Sequence, residues 1–461
     1  MKKHPPISFH AVLLSSLLIA AGCAPLPATH TPTTFEVPTP QRWWTVYNDA
    51  QLNQLIDQAT QNAPDMQRAQ ARLRQAEAVR GVVHSSELPQ AKVEMSVSQQ
   101  QQSNNYLFPK AMIPQGWNGY GNASVQLGWE FDFWGKNKAA IAATTNDVWA
   151  SEAERTHAQL TLAASVAQQY VELTRLYAAY DNAQQRLSNH HHRHHLLEVR
   201  VKQGMDLSTV LNDAQSQMLQ QGLEVQSLEA QIETAKVKLV TLTGRPPEAA
   251  SSIQKPTLSL NVMLPSTDKV SLNTLGKRPD LVAAKMQVEG QLHRINHKKA
   301  EFYPDINLSG FVGFQSFGSG RLFDNDSRIG AIGPALSVPL FTAGRLKNEL
   351  RYSEAKYDEA VALYNKVLLQ SLEEVSVTHL NARSVSAQKQ SLQALVHERR
   401  QSWQTTAKRN QAGLVSLIEV MQSQDAWLNT EKQLSDMQSK AISLDIQLQQ
   451  ALGGGYEAPA H

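Results

Sequence analysis

The sequence predicts a mainly α chain with a small β part, built as a duplicated unit in which two strands lead into a long helical hairpin. Three observations carry this. Lys136–Gln203 and Arg345–Ala412 are each 68 residues long and contain no glycine or proline, where average usage would place about eight. Each opens after a glycine followed by a base (Gly135-Lys136, Gly344-Arg345) and closes at a glycine (Gly204, Gly413); these pairs, and Gly244 with Gly453, share an offset of 209. Between the helical stretches lie four segments of alternating apolar and polar residues, the period of a half-buried strand.

In chain order, Lys2-Lys3 and the apolar run Ile7–Ala21 read as a secretory signal over residues 1–22, too short for a comfortable transmembrane helix. The run ends Ile19-Ala20-Ala21-Gly22-Cys23, and Cys23 is the only cysteine, so no intramolecular disulfide can form. Small residues leading into one cysteine resemble the bacterial lipobox, although Ala20 stands where leucine is usual. The resemblance implies acylation of Cys23 as the new amino terminus, and Ala24 in place of an aspartate favours the outer membrane. Several acyl chains would anchor stably where a single one is marginal. Ala24–Pro40 is rich in proline and threonine, and residues 23–42 read as a lipidated, extended tether.

The first repeat is placed at 43–250, a linker at 251–271 and the second repeat at 272–461. Ala63-Pro64-Asp65-Met66 resembles Arg278-Pro279-Asp280-Leu281, and a second proline, Pro89 or Pro304, follows 25 residues later. The upstream offset is 215, so the first repeat carries six extra residues between Pro89 and Gly135, which reads as a longer loop.

The strand segments are Ala91–Ser98, Val125–Phe133, Ile306–Phe317 and Ile332–Leu340. Val125, Leu127, Trp129, Phe131 and Phe133 alternate with Gln126, Gly128, Glu130 and Asp132, which places Glu130 and Asp132 on a polar, lumen-lining face. Aromatic residues stand near strand ends (Trp129, Trp134, Phe341). If these strands cross a membrane, four of them cannot close a barrel, because spanning barrels need eight or more strands and leave no edge in lipid. Several chains must then share one barrel.

Each long stretch predicts a helix roughly 100 Å long, a span and not a core element. In the second, Leu346, Leu350, Tyr357, Val361, Tyr364, Leu368, Leu372 and Val375 form a narrow, coiled-coil-like seam. A shorter helix returns to Gly244 or Gly453, which makes Gly204 and Gly413 the hairpin tips. A net charge of +2 with no dominant basic patch excludes nucleic acid as a partner. No phosphate-binding loop, HExxH or catalytic constellation is present, so neither enzymatic activity nor a cofactor is expected. His190, His191, His194 and His195 have metal-ligand spacing on a helix, but the run holds no carboxylate, so a solvated patch is the expectation.

Together these features resemble the TolC outer-membrane efflux family in its NodT-like lipoprotein branch. The residues that carry the match are the lipobox at Cys23, Trp43-Trp44-x-x-Tyr47-x-Asp49, Asp132-Phe133-Trp134-Gly135, Arg278-Pro279-Asp280-Leu281, Phe302-Tyr303-Pro304, Pro339-Leu340-Phe341-x-x-Gly344-Arg345 and Leu452-Gly453-Gly454-Gly455-Tyr456. The resemblance implies a homotrimer in the outer-membrane lipid, with a shared β-barrel continued by an α-helical barrel. It implies a passive exit duct for drug efflux or type I secretion, supplied by a periplasmic adaptor and an inner-membrane transporter. It also implies that the tips touch the adaptor, with Gly204, Gly413, Leu414 and Ser416 the matching residues, and that Glu419 rings the closed mouth. The competing reading is a structural coiled-coil envelope lipoprotein without transport, which explains the anchor and helices but not the strand pairs.

Mass spectrometry of the mature amino terminus is expected to show acyl mass on Cys23. Cys23→Ala is expected to abolish it, and a free thiol on the wild-type cysteine would overturn the assignment.

Overall fold

The computed structural model describes residues 42–105, 109–260 and 276–454. The signal, Cys23, the tether up to residue 41, linker residues 261–271 and the chain beyond Gly454 lie outside the described residues.

Two short helices, α1 (Ala50–Asn62) and α2 (Pro64–His84), precede strands β1 (Gln90–Gln101) and β2 (Trp117–Phe131). The first hairpin follows as α3 (Lys136–Lys202) and α4 (Ser208–Leu242). The order then recurs: α5 (Pro279–Ala300), β3 (Asp305–Phe317), β4 (Arg328–Ser337), α6 (Arg345–Gln411) and α7 (Leu417–Ala451). Both long helices have 67 residues and both return helices 35, so the duplication read from glycine spacing holds to the residue. Pro64 and Pro279 occupy first turns, where no N–H partner is lost. Asp65 and Asp280 beside them suit the positive end of each helix.

Where each hairpin returns, the chain closes on the proline turn of its own repeat. Gly244 has φ +75° and so little room that a Cβ would sit 2.7 Å from the Asn62 carbonyl oxygen. Gly453, at φ +82°, lies against Arg278, whose Cα would be 3.2 Å from such a Cβ. Arg278 is buried; its guanidinium donates to Asp280, to Glu374 and to the Ala451 carbonyl at the end of α7. One side chain thus satisfies an orphan carbonyl of α7 and ties α5 to α6.

The four hairpin helices lie in the order α4–α3–α7–α6 by packing, with α5 against α3 and α6, and α2 against α3. The main core lies where α1 crosses α3. Leu52, Ile56, Leu173, Tyr170 and Leu239 are fully buried there with Ile442 and Ile446 of α7, and alanines of α3 (Ala163, Ala164, Ala167) permit close approach. Asp49 anchors this region: one carboxylate oxygen accepts from the Leu52 N–H, capping α1, and from the Tyr170 hydroxyl, while the other accepts from Thr257. The Tyr47 hydroxyl donates to Asp445 of α7 at 2.6 Å. The seam predicted for α6 is present, with every named residue buried or half-buried. Nearer the tip, Trp403 and Trp427 stack at 4.7 Å and Arg400 lies over Trp427.

The strands form one antiparallel sheet in the order β1-β2-β3-β4. Register separates its two faces. Val93, Val125 and Val312 stand side by side, as do Trp129, Leu308 and Pro334, and Phe131, Ile306 and Leu336. The opposite face carries Lys92 beside Gln126, and Glu94 beside Ser124. Phe311 and Phe317 fall on that polar face, which is why β3 alternates least cleanly. Two expectations at strand ends are corrected. β2 stops at Phe131, because Asp132 turns away to accept from the Lys138 N–H in the first turn of α3; it lines no strand face. β4 starts at Arg328 and ends at Ser337, before Pro339, which cannot donate to a ladder, so Val338 and Leu340 belong to the connection into α6.

Gly244→Ala is expected to cost more than Gly204→Ala. Both force a positive φ on a residue with a Cβ, worth about 1–2 kcal/mol, but only at Gly244 does that Cβ meet backbone, whereas at Gly204 nothing lies within 4 Å. Equal shifts in thermal melts would contradict this packing.

Candidate functional site

Gly204, Gly413, Leu414, Ser416 and Glu419 lie at the two hairpin tips, and the tips close by different chemistry. In the first, the Gly204 N–H donates to the Val201 carbonyl and the Met205 N–H to that of Arg200, the bonding of a helix ended by a left-handed glycine. Arg200 then grips Asp206 through two N–H···O contacts of 2.6 and 3.2 Å, holding the carboxyl below its usual range. In the second tip, the Gly413 N–H donates to Asn410 and the Leu414 N–H to Arg409. The Asn410 side chain donates to the Val415 carbonyl.

Ser416 and Glu419 form a capping box at the start of α7. The Ser416 hydroxyl oxygen accepts from the Glu419 N–H, and the Glu419 carboxylate accepts from the Ser416 N–H at 3.1 Å. Glu419 is exposed, so its charge is free to act outward while one oxygen serves the cap. The repeat-mates of Ser416 and Glu419 are Leu207 and Val210, so the first tip has no such cap. Both tips present exposed apolar residues: Met205 and Leu207 in one, Leu414 and Leu417 in the other.

Above the tips lies a charged cluster that sequence reading missed. Arg186 of α3 donates to Asp425 of α7 at 2.8 Å and lies 3.7 Å from Glu224 of α4, which receives Lys432 of α7 at 2.7 Å. His190 Nε2 is 3.5 Å from the same Asp425 oxygen. Burial raises the Asp425 carboxyl, but the bonds and charges of His190 and Arg186 outweigh it and bring the group down to about 2. The cluster joins three helices of the layer, and no local signal could have found it, since Asp425 follows Arg186 by 239 residues. Its effect on the histidine run is to divide it: His190 is engaged, while His195 is largely exposed 3.9 Å from Glu198, itself paired with Lys202. Among the described residues no group of three or more His, Cys, Asp or Glu is placed to hold a metal ion.

At the opposite end of α3 the sheet meets the helices through a second polar knot. Lys136 bridges Glu130 of β2 and Asp305 of β3, and the His297 ring contacts the Lys136 carbonyl at 3.0 Å. Glu130 therefore serves the junction between strands and helix. Trp134 stacks on Tyr303 at 4.9 Å and its indole N–H donates to the Pro304 carbonyl, which fastens the first repeat to the second. Among the described residues no helix is long and apolar enough to cross a membrane.

Residues 55–245 and 271–454 match the family model described as outer membrane efflux protein. The chain is 28% identical to the multidrug resistance outer membrane protein MdtQ of Escherichia coli O157:H7, over 96% of this chain and 97% of that one. It is 31% identical to the fusaric acid resistance protein FusA of Burkholderia cepacia, over 68% of this chain and 59% of the other. Among solved structures, the outer membrane protein VceC of Vibrio cholerae superposes with a TM-score of 0.82 at 35% identity, over 91% of this chain and all of that one. The Campylobacter jejuni CmeC outer membrane channel shares the fold at 20% identity, with a TM-score of 0.81 over 94% and 92% of the two chains.

The depressed Asp425 carboxyl favours the folded state above its ordinary value of 3.8, and that contribution is lost as pH falls toward about 2. Thermal melts of wild type and Asp425→Asn are therefore expected to differ at neutral pH and to converge in that acid window. A difference that stays constant across the window would remove the cluster's electrostatic role.

Proposed function

The chain belongs to the outer membrane efflux protein family and is an outer-membrane exit duct for efflux, and we propose from that premise how this duct is built and met by its partners. The family consists of transport ducts and not enzymes, and it forms the outer-membrane part of tripartite systems that include a periplasmic adaptor and an inner-membrane transporter.

The carrying observation is the four-stranded sheet, apolar on one face and polar on the other, set at the end of helices roughly 100 Å long. An apolar face suits lipid and a polar face suits an aqueous lumen. The sheet has two unpaired edges, β1 and β4, which hydrocarbon cannot satisfy. Copies of the chain therefore pair edge to edge into a shared barrel, and a homotrimer of four strands each is the assembly proposed. Its amino terminus is held to the outer membrane by acylated Cys23. Cargo is small toxic compounds, including drugs, by kinship with the resistance proteins named above.

The tips are proposed as the adaptor-contacting end, with Leu414 and Ser416 in the second tip and the turn around Gly204 in the first. The exposed apolar residues there and the rigid closure of both turns support this. Glu419 is proposed to face its symmetry copies at the closed mouth, where like charges would repel or hold a cation and favour cations in the lumen.

Single-channel recording in planar bilayers tests the duct, with stable unitary conductance expected; a protein that inserts without conducting would be a spacer. Glu419→Gln tests the mouth cleanly, because glutamine also completes a capping box, so the charge is removed with the cap retained. Cation selectivity and block by divalent ions are expected to fall with assembly unchanged. If conductance, selectivity and block all stay as in wild type, Glu419 is not at the mouth.

A further inference from the structure

The apolar face of the sheet carries a single charge. By register its rows run from Phe131–Ile306–Leu336, at the helical end, to Met95–Ala123–Phe314–Arg328 toward the far end. Among the strand residues of that face only Arg328 is ionised. Phe314 stands eight residues beyond Ile306 on β3. That is about 27 Å along the strand and about 20 Å in height once the strand tilts in a barrel. An apolar band of such barrels is about 25 Å tall, and an arginine is costly at its middle but nearly free at its margin. Arg328 therefore falls at the margin. It is the outer margin, because helices enter β1 and β3 and leave β2 and β4 at the opposite end.

The connection between β3 and β4 folds back over this face and builds a hollow there. Leu322 is buried against Gly121, where a Cβ would stand 3.1 Å from the leucine Cδ1. Phe323 meets Phe314 edge to face, with ring centroids 5.6 Å apart. The Ser327 hydroxyl donates to the Arg321 carbonyl at 2.8 Å and closes the connection on itself. The hollow has a volume of 550 Å³, and its lining includes Val93, Val125, Val312, Phe314, Phe323 and Arg328. Among the described residues Arg328 forms no ion pair, and Asp324 of the same connection pairs instead with Arg321. A second copy laying its β1 beside β4 would bring Ala91, Val93, Met95, Val97 and Gln99 to this face, none of them a carboxylate.

We propose that this hollow binds an anionic lipid of the outer leaflet, with an acyl chain along the valines and a phosphate on the Arg328 guanidinium. This rests on the reading of the apolar face as lipid-facing and names a ligand for it. A planar guanidinium matches a phosphate with two parallel N–H···O bonds. An apolar hollow with one cation at its rim suits an amphiphile, because the phosphate alone would leave the valines and phenylalanines uncovered.

The test is native mass spectrometry of the detergent-extracted full chain, titrated with bis-phosphorylated lipid A, with its dephosphorylated form and with inorganic phosphate. Wild type is expected to bind lipid A, and Arg328→Gln to bind it about tenfold more weakly or worse. The dephosphorylated lipid is expected to bind both proteins as weakly as lipid A binds the variant. Phe323→Ala is expected to weaken both lipids. Equal binding of lipid A by wild type and Arg328→Gln overturns the site. Displacement of lipid A by inorganic phosphate at equal concentration assigns Arg328 to free phosphate and overturns the lipid. Unitary conductance in phosphatidylcholine bilayers is expected to be unchanged in both variants, which shows them folded and inserted. A wild type that fails to insert overturns the lipid-facing reading itself, whereas insertion without discrimination between the lipids overturns this site alone. Should Arg328→Gln fail to fold, Arg328→Lys, which keeps the charge and loses the fork, is expected to bind lipid A more weakly than wild type, and equal binding overturns the site.

Discussion

A helix roughly 100 Å long cannot be buried in a core, and everything else in the molecule answers that constraint. Such a helix is stabilised from the side, by neighbours running along its length. Among the four hairpin helices, α3 and α7 each lie between two others while α4 and α6 each pack against one, α6 also meeting α5. α3, in the interior, buries residues along most of its length, while α6, at an edge, buries six. The same arithmetic governs the sheet, whose central strands are paired twice and whose outer strands are paired once. Duplication writes the same long helix and return helix twice, 67 and 35 residues in each repeat.

Polar groups set the register where apolar stripes alone would let long helices slide. The narrow seam of α6 repeats similar residues every three or four positions, and a slip by one turn would cost little apolar contact. Between α3 and α7, the Arg186–Asp425–His190 cluster and the Asn182 and Asn189 bonds to α7 carbonyls fix one alignment. Leaving such buried groups unpaired costs about 1–3 kcal/mol each. Arg278 performs the same task at the top of α7, and Asp49 does so where the amino-terminal segment meets α3.

Much of this was legible in the sequence because glycine and proline mark chain reversals by steric necessity. The helix ends at Gly135, Gly204, Gly344 and Gly413, and the proline starts at Pro64 and Pro279, could be placed to within a residue. The strand faces followed from period two. Residues whose neighbours are distant in sequence stayed hidden: nothing near Arg186 announces Asp425, and nothing near Asp49 announces Tyr170. At Asp132 the alternation of the sequence continues past Phe131 while the side chain serves a helix. Ser416-x-x-Glu419 carries the sequence signature of a capping box, so this cap is legible from spacing alone. The roles of the tips and of Cys23 rested on resemblance, since a turn or a lone cysteine does not state what it touches.

The bond between Tyr47 and Asp445 joins residues 398 positions apart, and it has a consequence in time. A polypeptide emerging amino terminus first displays Trp44, Tyr47 and Leu52 long before Ile442, Asp445 and Ile446 exist to cover them. Closing so long a loop costs conformational entropy, although the cost grows only as the logarithm of length. The first hairpin, whose contacts are local, has no such wait. Synthesis order thus completes the first hairpin before the residues of α7 that cover Tyr47 have been made.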